Sequence, residues 1–223
     1  MRGVVQLART PGWGSGSRRF KSAHPDQMAD TVESIVLLLH IITAVFMAWP
    51  LYALITVNER PKVNAPVGDK LDDFMEGIIK KNARRCYIFQ ITALATGLYL
   101  VWAHAGTLTP VISNFRLLGK TVGLFVLMGL LSYVVFYLQP RIDGLFGQLK
   151  KTKLKENISQ KIIALRLQRK MLAATCLFVV LTVILLAIQI RQPLALTVNV
   201  AIIILIALFV RRVFKANIPY GWI

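Results

Sequence analysis

The chain has 223 residues, 56% of them hydrophobic, yet its formal net charge is +17 and its mean hydropathy is +0.59. A soluble domain could not bury so much apolar side chain, and a nucleic-acid-binding chain this basic would not carry it. Soluble enzymes, disulfide-stapled secreted scaffolds and disordered tails are therefore excluded, which leaves a polytopic membrane protein.

Residues 1–27 carry Arg2, Arg9, Arg18, Arg19 and Lys21 among Ser and Gly, with no acid before Asp26. This is the composition of a transit peptide, and it also suits an over-extended start ahead of Met28. We read it as a basic leader, disordered or non-essential, on a protein of the bacterial cytoplasmic membrane. The mitochondrial inner membrane is the alternative. Residues 28–223 read as one membrane domain.

Five apolar blocks follow, at residues 34–57, 86–104, 121–138, 171–190 and 194–210, none containing Asp, Glu, Lys or Arg. Each approaches the roughly 20 residues that cross about 30 Å of hydrocarbon as a helix. They lack the alternation of barrel strands, so the expected fold class is all-α, a five-helix membrane bundle. Only Arg191, Gln192 and Pro193 separate the last two blocks, which predicts a tight hairpin of two spanning helices, with Arg211 and Arg212 as the polar stop. Of the 27 Lys and Arg, 19 fall on one side of this arrangement and eight on the other. The positive-inside rule then places the N-terminus outside and the C-terminus inside.

Two basic inner segments have helical periodicity. Residues 69–85 place Leu71, Phe74, Met75, Ile78 and Ile79 on one side after a turn and an Asp69 N-cap, and the third loop places Leu154, Ile158, Ile162 and Leu165 opposite Lys153, Lys155, Lys161 and Arg166. Both are expected to be amphipathic helices in the membrane interface, suited to anionic lipid or a protein partner. The basic loops do not suit nucleic acid, because no aromatic is interleaved among the third-loop charges after Phe146. Cys86 and Cys176 have no CxxC spacing and argue neither for a disulfide framework nor for a metal clamp.

Polar groups inside the membrane are few, and they carry the functional reading. Every helix contributes one near the outer side: His40, His104, Lys120, Gln189, and Thr197 with Asn199. His40 lies roughly 9 Å below the start of its helix and Asn199 roughly 8 Å below the start of the last. A shared outward-opening pocket is expected. A neutral imidazole at His40 can ligate haem iron or a metal, relay a proton or join a neighbouring helix. His104 is a second candidate ligand, whereas Met47 lies roughly 10 Å deeper than His40, too far to share its metal. Pro50 is expected to kink the first helix. Gly119 and Gly123, with Ala93 and Gly97, suit close packing of the second and third membrane helices. No carboxylate lies in any block, and no phosphate loop, HExxH or Ser, His and Asp arrangement is present, so proton-coupled transport of the usual kind and hydrolysis are not indicated.

The segments LHIITAVFMAW (39–49), FMEGII (74–79), TALATGLYL (92–100) and GKTVGLFVLMGLLSYVVFYLQPRI (119–142) resemble the superfamily that joins HemJ-type protoporphyrinogen oxidases with CopD-like copper-resistance membrane proteins. The resemblance covers most of residues 28–215. It implies haem b binding at His40 and a functional role for Lys120. The chain departs from the family pattern at Leu118, where a histidine is usual, at Pro50 and Leu51, and at Met75 to Ile78. Two functions follow: membrane redox chemistry on a haem or metal held by His40, or a non-catalytic membrane subunit or assembly protein.

Overall fold

The computed structural model describes residues 25–47, 67–149 and 155–215. The regular structure among them is all helical: α1 (Pro25–Phe46), α2 (Lys70–Ala105), α3 (Thr109–Ser113), α4 (Phe115–Tyr133), a π turn (Val134–Leu138), α5 (Gln139–Leu149), α6 (Lys155–Arg191) and α7 (Leu196–Lys215). Four stretches are long and apolar enough to cross a membrane: Lys70–Ala105, Phe115–Leu149, Glu156–Ile190 and Leu196–Lys215. The expected first span shows only the shorter apolar helix Thr31–Phe46. Its continuation to Val57, including the Pro50 kink, lies outside the described residues, as do residues 1–24 and 216–223.

Local chemistry explains the ends. Gly106 takes φ +67°, a left-handed conformation open to a residue without Cβ, and its N–H closes α2 on the Trp102 carbonyl at 2.8 Å. Asn114 caps α4 by accepting from the Arg116 N–H at 3.0 Å. Pro140 has no N–H to offer the Phe136 carbonyl, and the helix passes it by widening: the Gln139 N–H reaches back five residues to Val134. The helix therefore continues to Leu149 instead of stopping at the membrane edge.

The two inner segments do not lie flat in the interface. They are straight continuations of the membrane helices α2 and α6. In the first, the facing departs in part from the expected one. Asp72, Glu76 and Ile79 are buried, while Leu71 and Phe74 are exposed. Asp69 stands at the N-cap position without a side-chain hydrogen bond; the Gly68 N–H is instead accepted by Asp72 at 3.0 Å. In the second, Ile158, Ile162 and Leu165 pack on Ile142, Phe146 and Leu149 of α5, so this apolar face meets protein and not lipid.

The helices pack in a row, α1 on α2, α2 on α4, α4 on α6 and α6 on α7. Met47, Ala93, Leu124, Leu127 and Val180 form the central core, and Ala174, Leu177 and Val210 form a second one between α6 and α7. Ala93 packs with Leu124 and Leu127 of α4 as expected, but the three glycines serve other seams. Gly119 and Gly123 face Leu186 and Val183 of α6, while Gly97 of α2 faces His40 of α1. A Cβ at Gly123 would meet Val183 at 2.5 Å, and a β-branched valine in a helix has no free rotamer to yield. Gly123→Ala should therefore destabilise the detergent-solubilised protein by about 1–3 kcal/mol. Gly129→Ala, whose Cβ meets nothing within 4 Å, should leave the melting temperature unchanged.

Candidate functional site

The outer polar residues do not converge on one pocket. They divide into three places along the row of helices. Gln189 donates to the Asn199 side-chain oxygen, and Asn199 donates to the Leu194 carbonyl at 3.2 Å, which closes the α6–α7 hairpin. Thr197 is exposed beside them. His104, with its side chain 85% exposed, bonds Glu33 at 3.1 Å, so it ties α2 to α1 at the rim and stands apart from His40. The third place is His40 itself.

His40 is half-buried on α1, and its Nδ1 lies 2.9 Å from the Thr96 hydroxyl on α2. Thr96 has one proton, and the 2.6 Å contact to the Thr92 carbonyl uses it. Towards His40 the hydroxyl can then only accept. The Ala93 carbonyl presents a second acceptor to the ring. The neutral tautomer that fits these acceptors has the proton on Nδ1 and the lone pair on Nε2. Gly97 makes the approach possible, since a Cβ there would stand 3.1 Å from His40 Cε1. Lys120, half-buried on α4, lies within electrostatic reach of the ring. Among the described residues no group of three or more His, Cys, Asp or Glu could hold a metal ion.

A second polar centre, not expected from the sequence, occupies the opposite end of the helices, the side that the positive-inside rule assigns to the interior. Glu76 on α2 is gripped by the Arg169 guanidinium on α6 through both carboxylate oxygens, Oε2 at 3.1 Å. Gln139 of α5 donates to Glu76 at 3.0 Å and accepts from Arg169 at 2.8 Å. One turn away Arg166 donates to Asp72 at 2.8 Å. Glu76 and Arg169 are only 4% and 5% exposed. At the edge Lys80 pairs with Asp143 at 2.7 Å. The legible signal was charge spacing: two acids four apart and two arginines three apart, on loops of the same side, in a chain with only ten acids.

Glu76 precedes the apolar stretch of α2. Burial alone pushes its carboxyl up, but the hydrogen bonds and charge of Arg169, helped by Gln139 and Arg166, more than offset this and hold it at about 2. The membrane stretch of α2 also buries Gln90, whose side-chain oxygen has no hydrogen-bond partner.

Comparison with family models, curated proteins and solved structures gives no match to this chain.

The ion-pair centre has a direct acid signature. A carboxyl held below its open-chain value of 4.5 adds stability that is complete above that pH and is lost as pH falls towards about 2. Melting temperature in detergent should hold from pH 7 to 5 and then drop. Glu76→Ala, which strands Arg169 in a buried site, should cost about 3–5 kcal/mol at pH 7. A cost under about 1 kcal/mol, the level of an exposed pair, would show that the centre does not hold the helices.

Proposed function

We propose that this integral membrane protein holds a haem b through His40 near its outer side and takes part in membrane redox chemistry. The observation that carries the reading is the 2.9 Å contact between His40 Nδ1 and a Thr96 hydroxyl that also bonds the Thr92 carbonyl, an arrangement that suits Nδ1–H and a lone pair on Nε2. Haem-iron and metal ligands of this type have the second ring nitrogen fixed by a hydrogen bond, which orients the ring. The residues fit a haem better than a bare ion. The porphyrin brings four nitrogens of its own and asks one axial ligand of the protein, and the described residues offer His40 without a cluster around it.

Each neighbour has a task. Thr96 holds the ring, Gly97 leaves room for it, and Lys120 supplies a cation suited to a propionate. A bound haem would supply one-electron chemistry. The resemblance of residues 39–49 and 119–142 to the HemJ and CopD-like superfamily supports the same assignment, and with it we place the protein in the bacterial cytoplasmic membrane.

A second reading, a non-catalytic membrane subunit or assembly protein, draws on α7. Its apolar window is only 6% buried within the chain, and Leu196, Leu205 and Leu208 stand more than half exposed, a surface for lipid or for a partner's helix.

Absorption spectra of the full chain, purified in detergent from haem-replete cells, separate the two. The native protein should show a Soret band that is lost in His40→Ala and shifted in Thr96→Val, which removes the acceptor for Nδ1–H. A colourless native preparation would overturn the haem reading and leave the subunit role.

A further inference from the structure

On the inner side, α5 and α6 leave a groove of about 480 Å³ between them, on the flank away from the Glu76 centre. Its floor is apolar, made by Leu145 and Leu165 with the short Ala164, and Gly144 leaves the wall bare backbone. A Cβ at Gly144 would meet nothing within 4 Å. Arg141 and Lys161 flank this floor, both exposed. Among the described residues neither is paired with a carboxylate. The nearby Asp143 is engaged by Lys80 at 2.7 Å and by Gln139 at 3.2 Å, so it does not neutralise them.

The depth of the groove identifies its surroundings. Tyr133 and Tyr137 stack at 5.0 Å, and the Arg141 guanidinium lies 3.7 Å above the Tyr137 ring. Aromatic rings continued by a cation one turn on mark a membrane–water interface. Arg141 follows the last residue of its apolar block, Leu138, by three positions, roughly 4.5 Å along the helix. Arg141 is therefore within the headgroup layer, about 5–7 Å deep on each side of the hydrocarbon, and the groove opens outward from it, with Gly144 to Gln148 roughly 9–15 Å beyond Leu138.

We propose that this groove binds an anionic phospholipid of the inner leaflet, its phosphate beside Arg141 and its headgroup extending towards Lys161. A zwitterionic lipid also offers a phosphate but brings a cation of its own, which Arg141 and Lys161 repel, whereas an anionic lipid brings none. The apolar floor keeps water from one side of the phosphate, which strengthens both contacts.

Native mass spectrometry of the full chain, released from bilayers of equal phosphatidylglycerol and phosphatidylcholine, tests this. The native chain should retain phosphatidylglycerol about tenfold over phosphatidylcholine. Arg141→Gln with Lys161→Gln should bring the ratio to parity. Gly144→Leu, which fills the groove and keeps every charge, should do the same, while Gly147→Leu, outside the groove and equally free of clash, should leave the preference intact. No preference in the native chain overturns the proposal. So does a preference that survives Gly144→Leu, which would mean diffuse attraction to basic helices. A dimer mass that disappears in Gly144→Leu, with no lipid preference, would instead assign the groove to a second copy of the chain.

Discussion

Glu76 and Arg169, with Asp72, Arg166 and Gln139 around them, make the one contact on which three helices depend. Lipid tails are as apolar as leucine, so the hydrophobic effect does not choose how membrane helices rotate against one another. Something directional must do so. A two-pronged carboxylate–guanidinium pair is directional, and here Gln139 from a third helix adds a bond to each partner, while the Arg169 Nε–H is left without an acceptor. Burying such a pair costs several kcal/mol of hydration per ion, and the cost is offset only in this one geometry. The centre therefore favours one arrangement of α2, α5 and α6 more than it adds to their total stability.

Its influence runs the length of α2, because α2 is one continuous helix of 36 residues. The buried positions are Asp72, Glu76, Ile79, Asn82, Cys86, Gln90, Ala93 and Thr96. They recur about every 3.4 residues, short of the 3.6 of a straight helix, so the seam drifts around the axis. From Glu76 to Thr96 the facing turns by about half a revolution at 100° per residue. This lets the inner end of α2 face α6 while its outer end faces α1. The clamp at Glu76 thereby sets the direction in which Thr96 points, and Thr96 sets the tautomer of His40.

The helical bundle was legible because uninterrupted apolar runs need no knowledge of neighbours: residues 86–104 and 171–190 fall inside single helices, and 194–210 does so from Leu196 on. The first inner segment turns part of its apolar face outward for a definite reason. Periodicity locates an apolar stripe, and in water that stripe turns inward; beside a membrane it can turn outward, as Leu71 and Phe74 do, while acids turn inward to meet arginines about 90 residues away. Pairing across such separations leaves no local pattern. The same limit scattered the outer polar residues. Gln189 and Asn199 were confined to a hairpin and could hardly avoid each other, but nothing in the composition showed that α2 and α4 stand between α1 and the α6–α7 pair.

What distinguishes His40 is how the other intramembrane polar groups are spent. Thr92, Thr121, Ser132, Thr175 and Thr182 donate to carbonyls one turn back on their own helices. Tyr87 is bound to Ser132, and Gln189 to Asn199. These groups are occupied in holding structure, as a medium without water requires. Two acceptors differ. The Gln90 oxygen is sealed in the bundle, where only a water or a shift of its amide could satisfy it. The His40 Nε2 lies on a half-buried ring towards the outer end, and its companion nitrogen is locked by Thr96. An open lone pair on a fixed ring is costly to leave bare in an apolar setting and is also what a Lewis-acidic centre requires. The charges at one end of α2 thus hold the bundle in register, and the nitrogen on which the proposed haem contact rests lies at the other end, beside Thr96, more than five turns away.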